Sequence, residues 1–207
     1  MSEPTDVALI EAWQGGDRAA GDAFFRRHFD AVYDFFRRKV SEDLSDLTQR
    51  TFLGFVEGAE RYRGDCSPRT FLFAVARHQL YQHFRRRRRD GRLDFAVTSL
   101  RDLGPSPSSA LGRRDEAAVL LTALESLPLE TQLLFELRYW EGLRGPQLAR
   151  VLEVPEGTIR SRLRRGLRQL RERVEELSVA GRDRWADDET FARWAAGRRP
   201  AIGDRER

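Results

Sequence analysis

Apolar residues recur at three- and four-residue intervals along most of the chain, and strict alternation is scarce, so the pattern predicts helices. Phe25, Phe29, Val32, Phe36 and Val40 predict one stripe on a helix that starts near Asp17, whose carboxylate suits the cap position. Leu44, Leu47, Thr51 and Phe55 predict a second stripe, with Phe52 and Val56 beside it, and Leu72, Val75, Ala76, Leu80 and Phe84 a third. The breaks fall at Gly15-Gly16, Ser41 and Gly64 to Pro68. Tyr33, Phe35 and the phenylalanines of this block are expected in its core.

A second block repeats the logic in shorter segments. It predicts helices over 115–127, ending at Pro128, then 129–140, ending near Gly142, then within 145–152, and from about Glu156 to Leu177. Ile159, Leu163, Leu167, Leu170, Val174 and Leu177 keep to one face of the last helix. Between the blocks, Gly104-Pro105-Ser106-Pro107-Ser108-Ser109 can neither continue a helix nor fill a core. The expected fold is all-α, with two small helical modules over 1–90 and 115–177 joined by a flexible linker, 91–114. An extension, 178–207, follows, in which Asp187-Asp188-Glu189-Thr190 can cap a short helix through Phe191 and Trp194.

Composition narrows the classes. No apolar run reaches the ~18 residues needed to span a bilayer, and the first residues lack the segments of a signal peptide, so a cytoplasmic protein without a membrane partner is expected. Cys66 is the only cysteine and His28, His78 and His83 are scattered, which argues against a disulfide framework and against a metal site. Of 37 basic residues only Lys39 is lysine, yet 33 acids reduce the net charge to +4. The charge is segregated: residues 1–60 carry seven basic and twelve acidic groups, whereas 77–92 and 156–173 carry seven arginines each against one and two acids.

The second basic stretch lies in a helix-turn-helix pattern. Ala149 is small where a second helix must approach, Val154 follows the turn, and Ile159 stands ten residues after Ala149. Such a pair offers the start of its second helix to a DNA major groove, where Arg160, Ser161, Arg164 and Arg165 are placed for phosphates or base edges.

Several motifs in order strengthen this reading. They are Asp46-Leu47-Thr48-Gln49-Arg50-Thr51-Phe52, Arg63-Gly64-Asp65-Cys66-Ser67-Pro68, Thr70 through His78, Leu124-Glu125-Ser126-Leu127-Pro128, Leu137-Arg138-Tyr139-Trp140-Glu141-Gly142 and Gly157 through Arg165. Together they resemble the bacterial sigma factors of the extracytoplasmic-function group of the sigma-70 family, which join a region 2 and a region 4 by a linker. The resemblance implies a protein that binds core RNA polymerase and directs promoter-specific initiation, making and breaking no bond itself and needing no cofactor. It implies polymerase contact, at the β′ clamp helices, through Asp46, Leu47, Gln49, Arg50 and Phe52, with Leu47 and Phe52 anchoring the helix. It assigns capture of the −10 strand to Gly64, Asp65, Cys66, Ser67, Arg77, His78, Tyr81, Gln82, Arg85 and Arg86. Recognition of the −35 duplex, beside the β flap, falls to Thr158, Arg160, Ser161, Arg162, Arg164 and Arg165. An anti-sigma protein is a further partner that the family admits.

The chain departs from the family pattern at Thr70, where tryptophan is usual, at His78 and Gln82 near the −10 reader, and at Gln147, Glu153 and Pro155 in the helix-turn-helix. Glu153 stands for a turn glycine and is expected to be strained at positive φ. Two other classes remain in view. A stand-alone helix-turn-helix regulator would bind a palindrome without polymerase, and a nucleic-acid-processing enzyme would need carboxylates such as Asp43, Asp46 and Glu57 to converge on a metal. Cys66 reads more simply as a tolerated thiol than as a redox sensor.

Overall fold

The structure is a computed structural model that describes residues 3–59, 64–87, 93–103 and 116–177. It divides into two compact units, Met1–Gly91 and Arg92–Arg207. Every extended element among the described residues is helical.

The first unit contains α1 (Asp6–Gln14), α2 (Arg18–Arg37), α3 (Leu44–Ala59) and α4 (Pro68–Arg87). The hydrophobic pattern did not predict α1. Its signals are Thr5, whose hydroxyl accepts the Ala8 amide at 3.2 Å, and the buried pair Leu9 and Ile10. Asp17 caps α2 as expected, accepting the Ala19 and Ala20 amides at 2.9 and 3.3 Å.

The buried stripe of α2 differs from the predicted one. It runs through Ala20, Phe24, His28, Val32, Phe35 and Phe36, while Phe29 is 48% exposed and Phe25 and Tyr33 are half-buried. Two adjacent stripes share Val32 and Phe36, and the histidine in the true one made it look polar. His28 enters the core because its ring nitrogen bonds Asp6 of α1 at 2.9 Å. Burial pushes its pKa below the ordinary histidine value, and Asp6 only partly offsets this, so a neutral imidazole donates to the carboxylate.

Around that stripe Phe24 stacks on Phe55 of α3 at 4.9 Å, and Phe35 meets Phe73 of α4 edge-on at 5.9 Å. Thr48 and Thr51 are buried in α3 because their hydroxyls donate to the Leu44 and Leu47 carbonyls, each at 2.8 Å.

The second unit begins with a strap, residues 93–103, ending in the single turn α5 (Leu100–Leu103). It continues with α6 (Glu116–Glu125), α7 (Leu129–Phe135), a π-helical turn (Glu136–Trp140), α8 (Gly145–Leu152) and α9 (Glu156–Leu177). Its core gathers Leu120, Ala123, Leu124, Leu127, Phe135, Leu170 and Val174. Gly166 lets α9 close on α7: a Cβ there would lie 2.8 Å from Thr131 Cγ2 and 2.9 Å from Phe135 Cζ.

The strap falls within the segment expected as linker. Phe95 and Leu100 are buried, and the Phe95 and Thr98 carbonyls accept the Glu130 and Leu129 amides at 3.1 and 2.9 Å. Those are first-turn amides of α7, which have no partner inside their own helix. The remainder of the expected linker, 104–115, and the expected tail helix lie outside the described residues.

Candidate nucleic-acid and polymerase interfaces

The helix-turn-helix is built from α8, a tight turn and α9. The Arg144 amide donates to Gln147 Oε1 at 2.8 Å, so glutamine serves at the start of α8 where glutamate is usual. Glu153 ends α8 at φ 56°, ψ 44°, the left-handed conformation expected of it, and the Val154 amide closes the turn on the Ala149 carbonyl at 3.0 Å. Ile159 is buried and fixes the rotation of α9.

That rotation leaves Arg160, Ser161, Arg164, Arg165 and Arg168 exposed on one face, with the Arg160 side chain 83% accessible. Among the described residues Arg164, Arg165 and Arg168 have no acidic partner, and Arg160 only approaches Glu156 at 4.0 Å. Arg162 points elsewhere. Its guanidinium binds Glu130 of α7 at 2.7 Å, which makes it a clamp between helices rather than a free cation. Thr158 is half-buried, and its carbonyl accepts the Ser161 hydroxyl at 3.0 Å. Arg168 was not among the expected contacts, although its position four residues after Arg164 puts it on the same face.

In the first unit, α4 carries the second cationic face. Gly64 (φ 78°) and Asp65 are exposed, Cys66 and Ser67 are half-buried, and Arg63 lies outside the described residues. Ser67 Oγ accepts the Thr70 amide at 3.2 Å and meets the Thr70 hydroxyl at 2.7 Å, capping α4. Thr70 is fully buried in this role. The aromatic beside the loop is Phe71, half-buried and tilted against Phe55 at 5.3 Å, so the usual tryptophan corresponds to Phe71 and not to Thr70.

Along the outer side of α4 the Gln82 amide nitrogen donates to His78 Nε2 at 2.7 Å, and Arg86 donates to Gln82 Oε1 at 3.3 Å. His78, Gln82 and Arg86 thus form a polar ladder at four-residue spacing, and Arg85 is exposed beside it. Tyr81 does not belong to this surface. It is 6% exposed, with the Arg77 guanidinium 4.6 Å above its ring, so it supports Arg77 from within. Arg87 binds Glu42 at 3.3 Å, and His83 lies 3.7 Å from Asp43, which fastens the end of α4 to the turn before α3. Burial, helped by Arg87, lowers the His83 pKa against the pull of Asp43. Arg88 and Arg89 lie outside the described residues.

The third surface is α3. Asp46, Gln49 and Arg50 are exposed along one side, and Arg50 Nε binds Asp46 Oδ1 at 2.9 Å. Leu47 is 2% exposed and serves as the anchor, out of reach of any partner. Phe52 is half-buried, in stacked contact with Phe29 at 6.2 Å and edge-on to Phe25 at 5.4 Å. Leu53 is 55% exposed one turn beyond Gln49 and Arg50. Leu53 and Phe29 were not expected on the surface, and periodicity alone does not distinguish an apolar contact residue from a core one.

Two family models match the chain: Sigma-70 region 2 over residues 24–90 and Sigma-70, region 4, over residues 117–170, together more than half of its length. The chain belongs to the sigma-70 family. Within it, this sigma factor falls in the extracytoplasmic-function group and directs promoter-specific transcription. It is 28% identical over 184 residues to the ECF RNA polymerase sigma-E factor of Haemophilus influenzae, covering 84% of this chain and 97% of the relative. It is 26% identical over 175 residues to the RNA polymerase sigma-H factor of Pseudomonas aeruginosa, covering 79% and 90%. Among solved structures its fold is similar to the sigma factor RpoE of Bartonella quintana, crystallised with the anti-sigma factor NepR. The TM-score is 0.56 at 19% identity, over 74% of this chain and 95% of that one.

The region 2 match takes in α2 from Phe24, α3 and α4, and the region 4 match takes in α6 to α9 as far as Leu170. Helix α1 and the strap of this sigma factor lie outside both matches, although both are packed into their units. Among its described residues no helix is long and apolar enough to cross a membrane.

Proposed function

We propose that the exposed face of α9 grips the −35 duplex, that α4 and the loop before it hold the −10 strand, and that α3 docks on core RNA polymerase. The observation that carries this reading is the row Arg164, Arg165 and Arg168 on α9, without acidic partners among the described residues, at the end of a helix-turn-helix that a major groove accepts. Arg164, Arg165 and Arg168 supply phosphate contacts, and Arg160 and Ser161, nearest the start of the helix, approach base edges. On α4 the His78–Gln82–Arg86 ladder and Arg85 follow a single strand, while Gly64, Asp65, Cys66 and Ser67 rim the place of a splayed base. Asp46, Gln49 and Arg50 present a polar edge to the β′ clamp helices, and the second unit lies beside the β flap.

In this reading the chain makes and breaks no bond, needs no cofactor and acts in the cytoplasm. The half-exposed Phe29 and Leu53 support a protein partner on this face, and an anti-sigma protein is one such partner. Reconstitution with core polymerase, followed by transcription across a genomic DNA library, tests the proposal. The expected result is a set of transcripts starting downstream of a shared pair of elements. Failure to bind core polymerase, or binding to a palindrome without it, overturns the proposal.

A further inference from the structure

The segment between the two units is divided unequally. Residues 93–103 are docked on the second unit at both ends: Phe95 is buried, Ser99 forms an antiparallel bridge with Pro128, and the Arg101 guanidinium donates to the Thr122 carbonyl at 3.0 Å. Ser99 and Asp102 hold α5 by reciprocal bonds, the Ser99 amide and hydroxyl donating to Asp102 Oδ2 at 2.8 and 2.7 Å. With the strap docked, residues 88–92 are the only stretch of chain between Arg87 of α4 and the docked residues.

Chain length then matters. Five residues reach about 18 Å when fully extended, whereas the 28 residues from 88 to 115 reach about 100 Å. The −35 and −10 elements are by their names about 25 base pairs apart, roughly 85 Å of B-form duplex. Adding the length of one long helix from each unit, about 30 Å apiece, to the short tether gives about 80 Å, which still does not reach that span.

We infer that the strap is a latch, docked on α7 in the free protein and released when both promoter elements are engaged on polymerase. The inference rests on the promoter-reading roles proposed above. The contact is suited to release. It is a single extended pass with one helical turn, it buries Phe95 and Leu100 while leaving Val97 71% exposed, and its main-chain bonds go to two amides that water satisfies once the strap leaves. Glu130 connects the latch to the reading helix, since its amide bonds the strap and its carboxylate holds Arg162 of α9.

A reversible cross-link tests the latch in the full chain. The bridged pair Ser99 and Pro128 has the spacing that a disulfide requires, so Ser99→Cys and Pro128→Cys are combined with Cys66→Ser. The protein is assayed with core polymerase on a promoter carrying both elements, before and after reduction. Oxidised protein is expected to transcribe at about a tenth of the reduced level or less, and reductant restores it. Equal transcription in both states overturns the latch, and so does failure of the disulfide to form in the free protein.

Phe95→Ala, without cross-link, is expected to match or exceed the unmodified protein in transcription. A loss of transcription by Phe95→Ala at unchanged core binding means that the docked strap is the working form, and it also overturns the latch. Absence of promoter-directed transcription from the unmodified protein itself would instead refute the proposed function.

Discussion

Arg162 and Arg164 stand two residues apart on α9, in opposite surroundings. Arg162 is about one-third exposed and holds Glu130 at 2.7 Å, while Arg164 is exposed with no acidic partner among the described residues. Arg162→Ala removes a partly screened ion pair and leaves Glu130 without its cation. It should cost roughly 0.5–1 kcal/mol of the second unit's stability, about 2–8 °C in its melting temperature. Arg164→Ala should leave stability within about 0.5 kcal/mol. On DNA the order reverses. If Arg164 meets a phosphate, its loss lowers the slope of log K against log salt by about 0.9 and weakens all sequences alike. If it meets a guanine edge, the loss is about 1–3 kcal/mol and relaxes one base of the −35 element. Thermal melts of the full chain, and binding of reconstituted holoenzyme to promoter fragments over a salt series, measure both quantities. Equal salt slopes for the two variants, with Arg162→Ala as stable as the parent, would refute the assignment of these arginines.

Glu153→Gly removes a left-handed side chain at φ 56°, and should stabilise the second unit by about 1 kcal/mol; a lower melting temperature would mean that contacts of the Glu153 side chain outweigh the strain. Leu47→Ala empties a core position and should cost about 2–5 kcal/mol. Leu53→Ala should leave melting unchanged and weaken binding to core polymerase, and a core-binding loss confined to Leu47→Ala contradicts the assigned face. His28 and His83 are both held below the ordinary histidine pKa, so between their folded values and about 6.5 the unfolded chain binds more protons. Stability of the first unit should therefore be full above about pH 6.5, fall as pH drops through that value, and level off below the folded pKa values. His28→Gln should flatten the melting-temperature profile over that range, and an unchanged profile would remove His28 as a cause.

Helix existence was legible wherever a stripe was apolar and breakers bounded it, as in α3, α4, α8 and α9. It failed where the buried face carried a polar group whose partner lies far along the chain. His28 belongs to the core only because Asp6 meets it, 22 residues away, and the same pairing secures α1, which showed too short a pattern to be seen. The candidate site was legible as a set of positions but not as orientations. Periodicity placed Arg162 among the cations of α9 and gave no sign of Glu130, 32 residues earlier. Tyr81 was counted with the strand-reading residues, and packing turned it inward beneath Arg77. The strap was hidden for a different reason. Besides the buried Phe95 and Leu100 it is held by main-chain bonds to α7, and main-chain bonding leaves little trace in side-chain identity.

The pairings on α9 also bear on why such a protein needs polymerase. Seven arginines between Glu156 and Arg173 suggest a strong polyanion binder, yet Arg162, Arg171 and Arg173 are engaged by Glu130, Glu175 and Glu176 at 2.7, 3.8 and 2.7 Å. The cations left for DNA are Arg164, Arg165, Arg168 and the loosely approached Arg160. Three phosphate contacts, from Arg164, Arg165 and Arg168, give a salt slope of about −2.7, so a fourfold rise in salt weakens binding only about 40-fold. That is less than the ~10³–10⁵ lost by proteins with six to ten such contacts. With so few such contacts, and with a surplus of acids in its first sixty residues, the chain gains little non-specific attraction to arbitrary duplex. Occupancy of a promoter then depends on adding the α4 contacts and the α3 docking to the α9 contacts through effective concentration on one polymerase. If α9 reads the −35 element as proposed, the acids on α7 and α9 reduce the number of cations it offers to DNA.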